Sequence, residues 1–529
     1  MKFQFLLVSA LAIAATVGIA DAQTTRDKVR QLAHIPLSGL PPQGSAPTSG
    51  SGCAGYVSPS GREYAIMGQS NGNAIIEITN PKAPVIVGHI PGNISQWHEV
   101  CVLGQYAYAT TEAGGGVQII DLREVDNGVI NLAGILTTNT SRGHTIQAIP
   151  TSKLLVVNGG DVNGLRVYDC QNPVQPALVA TWSEQYVHDS LFTRYTTGSF
   201  AGKDIGFLFS GNGTKGGMYI VDFTATADAQ GRNVPAMERL GYIKYIPDRN
   251  DFYCHSGALS EDRRFIYLND EFDESNNIVA DAATHIINVE DLRNPVYVKK
   301  FVNPINAIDH NSMIQDNFLM LAAYKQGLRV YNLANPTELS ESGHFDTFNG
   351  SGKQFAGAWG AWAGFPSGNV IISDMNAGFF VVDPSEAKGW GAPIESLSFV
   401  NTSDPGDGIK KLRRADGATF SAVFSGLSGS VIVNLKTDSM VKTTVDVRVR
   451  IKAKTMPEKM KIYLRRSDGS EAMIKSGSAG KNFTEFNING LPASTYVGAD
   501  SSIQVRIEMT AGHKAPPNVD IDVVRAIVK

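Results

Sequence analysis

A short apolar strand closing on an aspartate, asparagine or similar turn residue recurs seven times in this chain. That recurrence constrains the fold more than any other feature. The copies are AIIEITNPKAPVIVG (74–88), VQIIDLREV (117–125), LRVYDCQNPVQPALVA (165–180), MYIVDFTA (218–225), HIINVEDLRNPVYVKK (285–300), LRVYNLANPTEL (328–339) and FFVVDPSEA (379–387). Their spacing of roughly 45 to 65 residues suits a propeller blade with loop insertions. A full repeat holds four strand signals, as in HEVCVL, YAYATTE, VQIIDL and NLAGILT between residues 98 and 137. β-Branched and aromatic residues dominate and helical periodicity is absent. Four strands, seven times over, predict an all-β chain with a seven-bladed β-propeller at 51–390. A β-solenoid would show shorter and more regular repeats.

From about residue 391 the motif stops. SVIVNLKT, TVDVRVRIKAK, KMKIYLRRSDG, SIQVRIEMT and NVDIDVVRAIV alternate in the manner of a half-buried sheet. They predict a C-terminal β-sandwich at 391–529, of jelly-roll or galactose-binding-like form. Between them the two units account for a chain of 529 residues. A formal charge of -4 gives no reason to expect nucleic acid or an anionic membrane as partner.

The first residues, 1–22, read as a signal peptide: Lys2, then FLLVSALAIAATVGIA, then the small-residue site Ala20-Asp21-Ala22. No second apolar run reaches spanning length, so no transmembrane segment is expected in the mature chain, and export outside the cell or to its surface is. Residues 23–50, with SGLPPQGSAPTSGSG, read as a flexible lead. Four cysteines in an exported chain permit disulfides. Cys53 and Cys101, both near the start of innermost strands, are the first pair to expect; buried free thiols are the alternative.

The chemistry gathers at strand starts. Tyr253–Glu274 reads as a hairpin that opens at His255 and closes at Asn269, Asp270 and Glu271, with its turn at Glu261–Arg263. The same plan opens at His98, His144, His188 and His310. In a blade, the start of the first strand and the end of the second share one face. These positions therefore predict a ring of imidazoles at one mouth of the channel. Asp189, Asp270, Glu271 and Asp309 would be further ligands or supports, and Glu99, Glu112, Asp161, Lys325 and Trp359 would line the channel. Imidazole with carboxylate suits a divalent or transition metal, Zn, Cu, Fe, Mn or Ca. An open position on such an ion would supply a Lewis acid or an activated water. A lone strand histidine is usually structural, but five of the ten histidines at one repeat position are harder to dismiss.

Other features are weaker. NDEFDESNN (269–277) carries calcium-type carboxylates without the full loop pattern, so Asp273 and Glu274 read as a solvated turn. Asp121, Asp169 and Asp222 read as turn residues bonding to backbone. There is no nucleophile elbow, P-loop or dinucleotide fingerprint in a supporting context.

HDS (188–190), NDEFDE (269–274), IDHNSM (308–313), YKQGLRVYNL (324–333), FDT (345–347) and GAWGAW (357–362), with the closing strands IIEI, IIDL, VYDC, IVDF and VVDP, resemble the choice-of-anchor B family. These are exported bacterial proteins built from LVIVD-type propeller repeats. The resemblance implies a bacterial cell-surface or extracellular propeller and brings no general reaction or catalytic residue. Family members commonly close on an anchoring tail; DIDVVRAIVK departs from that and puts surface attachment in doubt. Two functions follow. One is a metal-binding propeller, with metal-assisted hydrolysis as the first reaction to expect and oxidation at copper as the second. The other is a non-catalytic interaction or adhesion scaffold whose C-terminal domain holds a glycan or cell-envelope component.

Overall fold

The computed structural model describes residues 25–42, 45–391, 394–400, 420–423, 428–437, 442–454, 458–511 and 518–528. The expected signal peptide lies outside them. Strands dominate the described residues, and no described helix is long and apolar enough to cross a membrane.

Among the described residues, seven antiparallel sheets of four or five strands follow one another between residues 26 and 383, with a two-stranded hairpin, Ala225–Ala227 and Asn233–Pro235, in the connection between the last two strands of the fourth. Their first strands are Gly50–Val57, His98–Leu103, Thr145–Ile149, Asp189–Arg194, Cys254–Leu259, Asn311–Gln315 and Ala358–Trp362. Each of these packs beside the next, and the last returns to the first, so the sheets form a propeller-like ring. All seven recurring motifs fall on third strands, such as Leu165–Asp169 and Gly378–Asp383. The side chain at the strand end then makes the expected turn bond. Asp121, Asp169 and Asp222 each accept from the backbone N–H two residues on.

Apolar burial holds the ring together. Between each pair of neighbouring sheets lies one core cluster, seven in all. Ile66, Ile75, Ala107 and Ile120 fill the space between the first and second sheets. Ile371, Phe379, Ala65 and Met67 fill the space between the seventh and the first. A strand buried on both faces must be apolar on both, which is why the second and third strands read as near-continuous hydrophobic runs rather than alternating ones. Every sheet also carries a bulge between its third and fourth strands, which increases the local twist.

The N-terminal segment overturns one expectation. Residues 26–35 are not a flexible lead. Arg30–Ile35 is the outer strand of the seventh sheet, paired with Gly378–Asp383, and Arg26–Asp27 adds a fifth strand to the sixth sheet beside Ser340–Phe345. The Gln31/Ala33 bulge repeats that of the other fourth strands. Gly378, at φ +102, sits where an added Cβ would be 2.5 Å from the carbonyl of Ile35, so only glycine admits the N-terminal strand there. Composition suggested a linker because Pro and Gly cluster at 40–52, just after the strand.

The cysteines overturn another. All four are free thiols. Cys53 packs in the core between the seventh and first sheets and Cys101 in that between the second and third, so the expected bridge does not form. The thiol neighbouring Cys101 is Cys170, in the same cluster.

The C-terminal region folds as two antiparallel sheets. Val431, Val433, Ile462, Val505 and Ile507 from one, and Val445, Val447, Val449, Val519 and Ile521 from the other, share a single core. Alternation along Thr444–Ala453 places every second side chain in it.

Candidate metal centre

The hairpin Cys254–Leu259/Phe265–Asp270 pairs Cys254 with Asp270 and Ser256 with Asn269, and His255 occupies the bulge between them. That extra residue turns the imidazole out of the ladder and toward the axis of the ring. His144, His188 and His310 each sit one residue before a first strand. Four consecutive sheets therefore deliver four imidazoles to one place. Ring centroids are 4.2 Å apart for His144 and His188, 4.0 Å for His188 and His255, and 4.5 Å for His255 and His310. The four rings wall one side of a cavity of about 320 Å³ that also touches Glu99, Glu112, Asp189, Glu271, Tyr324 and Trp359.

The partners of these rings fix their tautomers. His188 Nδ1 lies 2.9 Å from the carbonyl of His255, and His310 Nδ1 lies 2.5 Å from that of Trp359. A carbonyl only accepts, so each Nδ1 carries the proton and each Nε2 presents a lone pair. The pattern loosens at His255, whose Nδ1 is buried without a hydrogen-bond partner. His144 Nδ1 is 2.6 Å from Glu112 Oε1. Burial lowers the pKa of His188 and His255 well below the usual imidazole value, helped by the neighbouring imidazoles, and burial lowers His310 to about 3. These three rings are neutral at physiological pH.

The Nε2 atoms meet in two groups, and among the described residues of this cavity the trio of donor atoms mutually within 4.8 Å is His255, His310 and Glu271, without His144 or His188. His144 Nε2 and His188 Nε2 are 2.6 Å apart. That separation is one of a hydrogen bond, with a proton between the two nitrogens; two nitrogens on one ion at about 2.0–2.1 Å would stand about 3 Å or more apart, so a metal here would require the rings to part. The proton needs His144 as an imidazolium; a metal ion needs neutral rings. Donor atoms of His255, His310 and Glu271 lie within 4.8 Å of one another, as three ligands of one ion would. Glu271 opens the short helix Glu271–Ser275, and its oxygens lie 3.8 Å from His255 Nε2 and 3.7 Å from His310 Nε2, beyond hydrogen-bond reach. Tyr324 donates to Glu271 Oε1 at 2.8 Å. Burial raises Glu271 to about 7, against the pull of that hydroxyl.

Trp359 fills the histidine position of the seventh sheet and donates Nε1–H to Glu99 Oε1 at 2.6 Å. Glu99 is half-buried at the cavity wall; Gly52 faces it so closely that an added Cβ would be 2.1 Å from Oε2. Burial raises Glu99 to about 7 and Asp189 to about 6.

Several expected members stand elsewhere. His98 bonds through Nε2 to the carbonyl of Asn93 and lines a separate cleft, because it is the first residue of its strand rather than the one before it. Asp270 accepts from Tyr245 and from the backbone N–H groups of Tyr253 and Phe272, capping the short helix. Asp309 is buried behind the ring, bonded to Asn269 and Thr284. Asp161 pairs with Arg166 at another surface depression, and Lys325 reaches Gln354 instead of the cavity. Asp273 and Glu274 are buried, not solvated: Asp273 holds His285 and Arg249, and Glu274 accepts from the Ala283 N–H. Tyr186, Tyr253 and Phe355 line the cavity unforeseen. The Tyr-x-His spacing of 186–188, repeated at 253–255, was the available signal.

The chain matches no protein-family model and no curated protein. Among solved structures it is similar to a periplasmic gluconolactonase of Pseudomonas aeruginosa, with 12% identity and a TM-score of 0.43, covering 59% of this chain and 88% of that one. It is also similar to a hypothetical selenium-binding protein of Sulfolobus tokodaii, with 12% identity and a TM-score of 0.41, covering 63% and 86%. An exo-β-1,3-galactanase of Phanerochaete chrysosporium is similar at 8% identity and a TM-score of 0.32, covering 81% and 97%. At these scores none of the likenesses bears on chemistry.

Proposed function

We propose that this protein is an exported metalloprotein in which a seven-bladed β-propeller holds a transition metal at the imidazole cluster of His144, His188, His255 and His310, with His255, His310 and Glu271 as the donors already within reach of one ion. One observation carries the reading. Acceptors on the far side of the rings commit Nδ1 to donation at His188 and His310, so their Nε2 lone pairs face the cavity, and His188 meets His144 Nε2 at 2.6 Å. Imidazole donors suit zinc, copper, iron or nickel better than calcium. A metal here would supply a Lewis acid, with hydrolysis as the first reaction to test and oxidation as the second. Glu271 would hold or move a proton next to the ion, since burial brings its pKa into the physiological range. The resemblance to the choice-of-anchor B family supports export and the propeller. The two C-terminal sheets and their common core support a β-sandwich, whose role we take to be docking on a glycan or envelope component.

Elemental analysis of the purified protein tests the centre. About one transition metal per chain is expected, lost when His255 and His310 are both replaced by Ala. Wild-type protein that stays metal-free after dialysis against zinc, copper and ferrous iron would reject it.

A further inference from the structure

The two regions of the chain differ in sign. Residues 391–529 hold 20 lysines and arginines against 14 aspartates and glutamates, while residues 1–390 hold 26 against 36. Part of that positive charge gathers on one sheet face. Along Thr444–Ala453 the side chains of Val445, Val447, Val449 and Ile451 enter the core, so Arg448, Arg450 and Lys452 project from the opposite face. Arg525 on Asn518–Val528 stands directly across from Arg448, and Asn487 on Thr484–Pro492 flanks it on the other side. Two guanidinium groups and an amide share one row across three strands.

That row is unfavourable on its own, since like charges directly opposite each other destabilise a strand pair. On the other C-terminal sheet Arg506 is matched by Glu471 and Glu508, at 2.7 and 2.9 Å. Here Lys452 and Lys454 share the single carboxylate of Asp520. Among the described residues no carboxylate pairs with Arg448, and its Nε is buried without a hydrogen-bond partner. A carboxylate lying on the row would separate the two cations and match the fork of a guanidinium.

The surroundings select among polyanions. Arg450 and Lys452 both lie over the ring of Phe483, each 4.6 Å from its centroid, so that ring is engaged by cations and not offered to a nucleic-acid base. Among the described residues this face exposes no large apolar side chain that could enter a membrane. Asn487 and Glu485 are exposed beside the arginines and suit hydroxyl groups.

We infer that this face docks an acidic polysaccharide, a chain of uronate units whose carboxylates lie on the Arg448–Arg525 row. The inference rests on the glycan-docking role proposed above and gives it a ligand class. Isothermal titration of the full chain with polygalacturonate and with its highly methyl-esterified form tests it, with a DNA duplex and phosphatidylglycerol vesicles as further arms. The acid should bind at least about tenfold more tightly than the ester, and more weakly at about 200 mM salt than at about 50 mM. Arg448→Gln with Arg525→Gln should weaken the acid at least about tenfold without lowering the unfolding midpoint. Arg448→Lys with Arg525→Lys, which keeps the charge and loses the fork, should recover only part of it. Arg465→Gln with Lys475→Gln removes the same charge from the other sheet and should change nothing. An equal loss in that control, or acid binding indifferent to both arginine pairs, would overturn the site. Ester bound as tightly as acid would overturn the ligand class and leave glycan docking standing. Failure to bind either polysaccharide would overturn both, and duplex or vesicle binding lost with the arginines would name the partner that replaces them.

Discussion

Two groups of histidine and carboxylate lie close to the short helix Glu271–Ser275, and they differ in what their lone pairs do. On one side Asp270, Asp273 and His285 are buried together. Asp273 accepts from His285 Nε2 at 3.1 Å and from Arg249 at 3.1 Å, His285 Nδ1 reaches Tyr297, and Asp270 uses both oxygens, on Tyr245 and on the backbone N–H groups of Tyr253 and Phe272. Each polar atom of that trio has a protein partner. On the other side His255, His310 and Glu271 approach without bonding, and His144 and His188 crowd nitrogen against nitrogen. The same residue types make a closed structural network in one place and an open donor set in the other. Density of ligand-type residues does not mark a site; unspent lone pairs do.

The comparison breaks if the two groups respond alike to substitution. The largest effect is expected from His188→Ala or His310→Ala, which should lower metal affinity by more than about 100-fold, beyond what loss of an outer partner costs. Competition with a chromophoric chelator measures it. His285→Ala should keep the metal but destabilise the fold by about 2–5 kcal/mol, since Asp273 is left facing Arg249 alone in a buried site; denaturant unfolding reads this. Metal loss with unchanged stability in that variant would erase the distinction. Glu112→Gln should sharpen it with a smaller change, about 10- to 100-fold in metal affinity, because Glu112 orients His144 without entering the donor set.

A pH series addresses His98, the ring that leaves the group. Burial lowers its pKa to about 4, so the unfolded chain binds the proton first as pH falls. Its contribution to stability is therefore whole above about pH 6.5 and is lost as pH drops toward 4. His98→Gln should flatten stability over that window by about 1–3 kcal/mol without touching the metal. The smallest effect belongs to the thiols. Reductant should leave the melting temperature unchanged, since all four cysteines are free.

Much of this was legible from the chain. The closing motif marked third strands because a twice-buried strand must be apolar and must end on a residue that can bond its own turn, as Asp169 does. The histidines were legible as strand-start residues. Side-chain direction was not, because it turns on a single residue of register: His98 opens its strand, His144 and His310 precede theirs, and His255 is pushed inward by a bulge. Tyr324, expected only through its neighbour Lys325, shows the same one-residue ambiguity. The pairing of RQLAHI (30–35) was hidden for another reason. Its partner lies some 350 residues away, and a fourth strand, partly exposed, carries too weak a pattern to announce itself.

That pairing has a consequence for how the molecule is made. Residues 30–35 are synthesised before any of the seven sheets, yet their berth at 378–383 comes only after six of them. During all that time the segment has no place to dock and must stay clear of the exposed edges of the growing array. A closure of such long sequence separation is entropically slow. Once made, it acts as a clasp: neither end of the ring can fray without opening the other, so unfolding should begin only when beginning and end let go together.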